Sequence, residues 1–259
     1  MQRFFITALA CLFSFTSSSY VKAQVLGDFY NSSNHHKSKG LNFKIKKPLG
    51  FDQKEAVAYH TFTQSIIEKS SIPMRFMPLS VGSLTNYEET HKDGSNDFIY
   101  SRFLVPYLMR FKGWAIYADG DMVCLKDIKE LWDLRDDKFA VQVVKHEYKT
   151  KIKNKYWGNK NEDYPRKNWS SFIVFNCNHP SNQKLNIDLV NSETGSFLHQ
   201  FKWLESENLI GELPLEWNWL VGEYEHKDDV KNVHYTKGGP WFKEYAHCSY
   251  SETWNEYCR

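Results

Sequence analysis

Two carboxylates stand one residue apart at Asp119-Gly120-Asp121, directly after the apolar run Trp114-Ala115-Ile116-Tyr117-Ala118. A buried strand that ends this way sets fixed anions at the carboxyl edge of a sheet, where open α/β folds bind ligands. Packing has no use for two like charges side by side. Each raises the other's cost of ionisation unless a cation lies between them. An oxygen-rich site of this kind suits Mg²⁺ or Mn²⁺, and those ions in turn hold phosphate oxygens. A solvated Asp-Gly turn is the alternative reading of the same tripeptide.

The elements that must position such a pair are set by the rest of the chain. Its 259 residues suffice for one sizeable α/β domain with a full core. The net charge of +2, with no dense Lys/Arg block, argues against a nucleic-acid surface. Nine Trp, fifteen Tyr and eighteen Phe must supply most of the core, and the surplus of Trp and Tyr also suits stacking on sugar rings or bases. No repeat period and no glycine-rich phosphate loop is visible.

Residues 1–23 read as a signal-like segment: a basic start at Arg3, an apolar run over 4–15, and small residues near Ala23 at a cleavage point. The apolar run is too short to span a bilayer, and no transmembrane span is expected elsewhere. Residues 24–42 are polar and read as a disordered linker, with His35-His36 a solvated pair rather than a metal clip. An export signal points to the secretory pathway; a mis-assigned start over residues 1–40 would instead leave a cytoplasmic protein. The folded domain is placed at 43–259. Cys124 and Cys177 lie in apolar, strand-like surroundings and read as buried thiols, whereas Cys248 and Cys258 are able to pair if the chain is exported.

Within the domain, strand and helix signals alternate. A lysine-rich first strand is expected over 43–50, and Asp52 with Glu55 forms a capping-box spacing before a helix over 54–69 that carries Ala58, Phe62 and Ile66 on one face. Strands are expected over 75–79, 114–118, 139–144 and 171–177, with a helix over 98–111 broken at Pro106 and closed by Gly113. This β-α-β order predicts a mostly parallel, twisted sheet with helices on both faces.

Several motifs then fall in a familiar order. Asp97-Phe98-Ile99-Tyr100-Ser101-Arg102-Phe103, the strand into Asp119-Gly120-Asp121, and Val233-His234-Tyr235 followed by Gly238-Gly239-Pro240-Trp241 resemble a retaining glycosyltransferase of family 8, the glycogenin-like branch of the GT-A nucleotide-sugar transferases. "GFDQKEAVAYHTFTQSI" resembles that family's nucleoside-holding start, "NWSSFIVFNCNHP" its central strand, and "LPLEWNW" its acceptor-side loop. The resemblance covers residues 50–245. It implies a Rossmann-like GT-A fold and transfer of a sugar from a nucleotide-diphospho-sugar, UDP-linked by preference, to a hydroxyl on a glycan, lipid-linked or protein acceptor, with retention at the anomeric carbon. It implies Mn²⁺ or Mg²⁺ held by Asp119, Asp121 and His234. It further implies donor contacts from Asp52, Tyr100, Arg102, Asp119, Gly120, Lys237 and Gly238. An ordinary ion pair is the plain alternative for Arg102, and a surface hydrogen bond for His234.

Two departures stand out. The family places Gly three residues after the His and Lys directly before Pro-Trp, whereas here Lys237 precedes Gly238 and Gly239. The family's Asp-Gln-Asp between central strand and late loop is replaced by Leu198-His199-Gln200-Phe201. No catalytic acid is therefore named there; Glu205, Glu216 and Asn218 are the remaining candidates. In the retaining family the leaving phosphate is thought to accept the proton of the attacking hydroxyl. Two other classes also fit single features. "DGDMV" matches the first motif of haloacid-dehalogenase-type phosphatases, with Asp228-Asp229 as a displaced second acid. The export signal and Trp content suit a non-catalytic carbohydrate-binding module.

Overall fold

The computed structural model describes residues 10–14, 53–79, 84, 86–91, 99–150 and 163–258. The expected strand over 43–50, the linker over 24–42 and the capping box at Asp52 lie outside those residues, so Asp52 has no structural account.

A six-stranded sheet carries the order β2-β1-β3-β6-β5-β7. Its strands are β1 (Ala10–Ser14), β2 (Arg75–Leu79), β3 (Trp114–Ala118), β5 (Val141–Val143), β6 (Phe172–Asn176) and β7 (Ile210–Glu212). Three further strands, β4 (Met122–Cys124), β8 (Trp219–Leu220) and β9 (Asn232–His234), form a small sheet in the order β4-β9-β8. Strand β1 comes from inside the apolar run that reads as a leader; a short apolar run serves a strand as readily.

The pairings correct one expectation. The sheet is mixed, and only β5–β7 is a parallel neighbour pair; β1–β2, β1–β3, β3–β6 and β5–β6 are antiparallel. The reason is interleaving. Following those pairings, β2, β3, β5 and β7 all run in one direction, as the β-α-β reading requires, and β1 and β6 are inserted between them running the other way.

Alternation along the strands buries both faces. Ala115, Tyr117, Ile173, Phe175, Val141 and Val143 point into one core with Phe103, Leu104 and Leu198. Ile116, Ala118, Phe172 and Val174 point into the other, beneath α1 (Gln53–Lys69) and α3 (Ile128–Trp132). Helix α1 buries Ala58, Phe62 and Ile66, at about 1.5–3 kcal/mol for each large side chain. It ends where Ser70 turns its hydroxyl onto the Ile72 carbonyl, 2.8 Å away, with Lys69 in the last turn opposing the helix dipole. The expected 98–111 helix is instead a 3₁₀ turn, Ser101–Leu104, running into the short α2 (Val105–Leu108). Pro106 sits at the first turn of α2, where its missing N–H costs nothing. Cys124 and Cys177 are buried free thiols, pushed up to about 12 by burial, and Cys248 and Cys258 are also free. No helix among the described residues is long and apolar enough to cross a membrane.

Candidate active site

The acidic turn crosses from one sheet to the other. Asp119 follows β3, and its N–H donates to the Ser171 carbonyl at 2.9 Å, extending the six-stranded sheet. Asp121 precedes β4, and its carbonyl accepts from Tyr235 N–H at 2.9 Å, extending the small sheet. Gly120, buried between them, is the single residue across which the chain changes sheets. Strand β9 pairs Met122 with His234 and so returns the imidazole beside the turn. One ligand atom from each of Asp119, Asp121 and His234 falls within 4.8 Å of the others. The three residues expected to share a cation therefore meet in space.

Each is oriented by neighbours. Tyr117, two residues before Asp119 and so on the same strand face, donates its hydroxyl to Asp119 Oδ1 at 2.6 Å. Burial pushes that phenol well above its ordinary value, so it stays a donor. Arg102, 6 % exposed, places Nη1 3.1 Å from the same carboxylate oxygen and donates to the Ser170 carbonyl at 2.9 Å and, through Nε, to the Ile99 carbonyl at 3.1 Å. Burial, the largest single influence, would lower its pKa, but Asp119 together with Tyr117, Tyr164 and Asp121 outweighs it and raises it. Arg102 is thus locked to Asp119 from behind.

His234 is 2 % exposed. Its Nδ1 lies 3.0 Å from Asn218 Oδ1, an acceptor, because the Asn218 amide nitrogen is spent on the Ser171 hydroxyl at 2.9 Å. Nδ1 therefore carries the proton, and Nε2 faces Asp121 Oδ1 at 3.2 Å. Asn168, in the left-handed region at φ +63°, turns its carbonyl onto the Ser171 hydroxyl at 2.7 Å and steadies the same network. Asn218, expected beside an acceptor, is the partner that sets the His234 tautomer.

The remaining expected residues scatter. Lys237 is buried, its ammonium 3.3 Å from Glu223 Oε1 and donating to the Gly222 carbonyl at 2.6 Å. Gly238 sits at φ +126°, where an added Cβ would meet the Tyr245 ring at 2.8 Å. Tyr100 is a core residue stacked on His91 with ring centroids 3.6 Å apart. Glu205 is held on the surface by Lys184 and by the Ser181 hydroxyl at 2.5 Å, and Glu216 pairs with Lys227 at 2.5 Å. Neither belongs to the cluster around Asp119 and Asp121. The displaced acids of the phosphatase reading, Asp228 and Asp229, face His226 and Lys126 on an exposed stretch. Sequence reasoning missed Glu223, Tyr117 and His146. Only Tyr117 left a signal, its two-residue spacing from Asp119.

The class is that of a glycosyltransferase, and it rests on the family to which the chain belongs. Residues 2–244 match the model of Glycosyl transferase family 8, and the chain belongs to that family. It is 42% identical over 222 residues to Protein CDI of Arabidopsis thaliana, covering 81% of this chain and 85% of that protein. Among solved structures it is similar to the galactosyltransferase LgtC, solved in complex with donor and acceptor sugar analogs, at 11% identity and a TM-score of 0.48, covering 78% of this chain and 91% of that one. It is also similar to the bifunctional glycosyltransferase WbbM, at 16% identity and a TM-score of 0.45, where it covers 78% of its own length and spans 47% of WbbM. The phosphatase and non-catalytic binding readings are set aside by family membership.

Proposed function

We propose that this glycosyltransferase uses a divalent cation, Mn²⁺ or Mg²⁺, to move a sugar from a UDP-sugar to a hydroxyl acceptor with retention at the anomeric carbon. The observation that carries the cation is the 3.2 Å approach of His234 Nε2 to Asp121 Oδ1. With the imidazole proton on Nδ1, two lone-pair atoms face each other there, and a shared cation or proton is needed between them. Asp119, Asp121 and His234 fit a Mn²⁺ or Mg²⁺ that also takes phosphate oxygens. When bound, such an ion supplies charge stabilisation to a departing diphosphate.

Charge supports the same reading. When ionised, the carboxylates Asp119 and Asp121 outnumber the one cation paired with them, Arg102. A site negative on its own repels a diphosphate, and a divalent cation reverses that sign. Arg102 and Tyr117 hold Asp119 in place, and Asn218 aims His234. Each is a positioning contact made before the substrate arrives, which lowers the reorganisation needed during reaction. Retention is what the resemblance to the retaining family implies, and it is consistent with the pairing of Glu205 and Glu216 with lysines away from the cluster.

Thermal-shift measurements with a panel of nucleotide sugars, with and without Mn²⁺, test the donor and the ion together. Stabilisation by a UDP-sugar that requires Mn²⁺, and that is lost in Asp121→Asn, is expected. No stabilisation by any nucleotide sugar would sink the reading. The product's anomeric proton coupling decides retention separately.

A further inference from the structure

His146 follows β5 by three residues, and β5 runs in the same direction as β3, so His146 and Asp119 leave the sheet at the same edge. The imidazole is 6 % exposed. Its Nδ1 lies 2.8 Å from the Tyr224 hydroxyl, and its ring stacks on Tyr224 with centroids 5.9 Å apart at 29°. The residue's carbonyl accepts from the Trp169 indole N–H at 3.1 Å, which fixes the backbone beneath the ring. Tyr148 stands edge-on at 6.3 Å, its own hydroxyl held by the Asn168 amide at 2.8 Å.

The other ring nitrogen, Nε2, is buried and meets no hydrogen-bond partner among the described residues. A buried polar atom left this way forfeits its hydration with no hydrogen bond in return. Native structures keep few such atoms, and those they keep tend to have a use. Burial first, and then the neighbouring His234, push the ring down to about 3, so it is neutral and lies within electrostatic reach of a proposed metal ligand. Tyr224 is pushed up to about 12 by burial and by Glu223, so its hydroxyl keeps a proton that it is able to donate to Nδ1. With Nδ1 accepting from Tyr224, Nε2 carries the ring proton, and among the described residues that N–H has no acceptor.

We propose that Nε2–H of His146 hydrogen-bonds the oxygen of the attacking acceptor hydroxyl and holds it against the donor sugar, with Tyr148 turning aside to admit it. The proposal rests on the nucleotide-sugar reading above. In the step it serves, the hydroxyl oxygen bonds to the anomeric carbon as the carbon–oxygen bond to phosphate breaks. The hydroxyl proton leaves with that phosphate oxygen, and His146 gains and loses none. One oxygen lone pair faces Nε2–H and the other faces the anomeric carbon, which fixes the direction of attack.

The test compares wild type, His146→Ala, His146→Gln and Tyr224→Phe for affinity toward UDP with Mn²⁺, by calorimetry, and for UDP release from a UDP-sugar with water as the acceptor. His146→Ala should release UDP at least about ten-fold more slowly with its affinity for UDP and Mn²⁺ unchanged. The Gln variant, which keeps an N–H donor, should recover part of the rate. Tyr224→Phe, which removes the hydroxyl that fixes the tautomer, should be slowed several-fold. Release at the wild-type rate in His146→Ala, or in Tyr224→Phe should the alanine variant not fold, overturns the proposal, as does a Gln variant no better than Ala. Failure of the wild type itself to bind UDP with Mn²⁺ removes the nucleotide-sugar reading and this proposal with it.

Discussion

Asn218 touches the site through one atom pair, its Oδ1 against His234 Nδ1 at 3.0 Å. Replacing it by Leu frees the imidazole to change tautomer without removing any ligand atom. Mn²⁺ affinity should then fall about 10–100-fold, the usual penalty for losing such an outer partner, as read by calorimetric titration; unchanged affinity would show that the tautomer is set elsewhere. Arg102 makes the opposite kind of contribution. Because its guanidinium is buried on Asp119 and two carbonyls, Arg102→Ala should cost about 3–5 kcal/mol of stability in urea unfolding. A loss confined to nucleotide-sugar binding would instead make it a donor contact. The acidic pair and His234 were legible because their motifs kept the order of a known family. The burial of Lys237 was not. Nothing in the spacing of Glu223, fourteen residues earlier, says that it will meet that ammonium.

The strands show where legibility stops. β2, β3, β5 and β6 are apolar runs between turn signals, and each lies where that pattern puts it. Their order is a different matter. Direction depends on how the connection returns, and β6 runs against both its neighbours, so periodicity alone could not place it. Short connecting segments are also pinned by surface pairs, and Glu205 is the clearest. Hydrogen bonds from Lys184 and Ser181 pull its carboxyl down to about 2, below the ordinary glutamate value. A depressed acid stabilises the fold above its unfolded pKa and loses that contribution as pH falls toward 2. Glu205→Gln should therefore lower the thermal midpoint slightly at pH 7 and leave it unchanged at pH 2. An equal loss at both values would mean that packing, not charge, is what Glu205 supplies.

At the level of the whole molecule, acid should act earlier than the carboxylates alone would allow. His146 and His199 are each pushed down to about 3, both chiefly by burial, with His234 and Arg102 adding to it respectively. Unfolded, each titrates near 6.5, so the unfolded chain binds more protons between those values and stability declines as pH falls from about 6.5 toward 3. Near pH 5 these two groups should account for uptake of about two protons on unfolding. Urea midpoints measured from pH 7 to pH 5 should slope downward, and a profile that is flat for wild type and for the His146→Gln, His199→Gln pair alike would contradict it. The acidic turn has a mechanical side as well. Its first carboxylate is hung from the large sheet and its second from the small one, with a single glycine as the joint. A ligand gripping both acts as a rivet across a seam. The small sheet, only three short strands, is the side with freedom to breathe. Adding UDP and Mn²⁺ should accordingly slow amide hydrogen exchange at Val233 and Tyr235 while leaving the far edge at β2 untouched; equal protection at both would mean that the joint is already rigid.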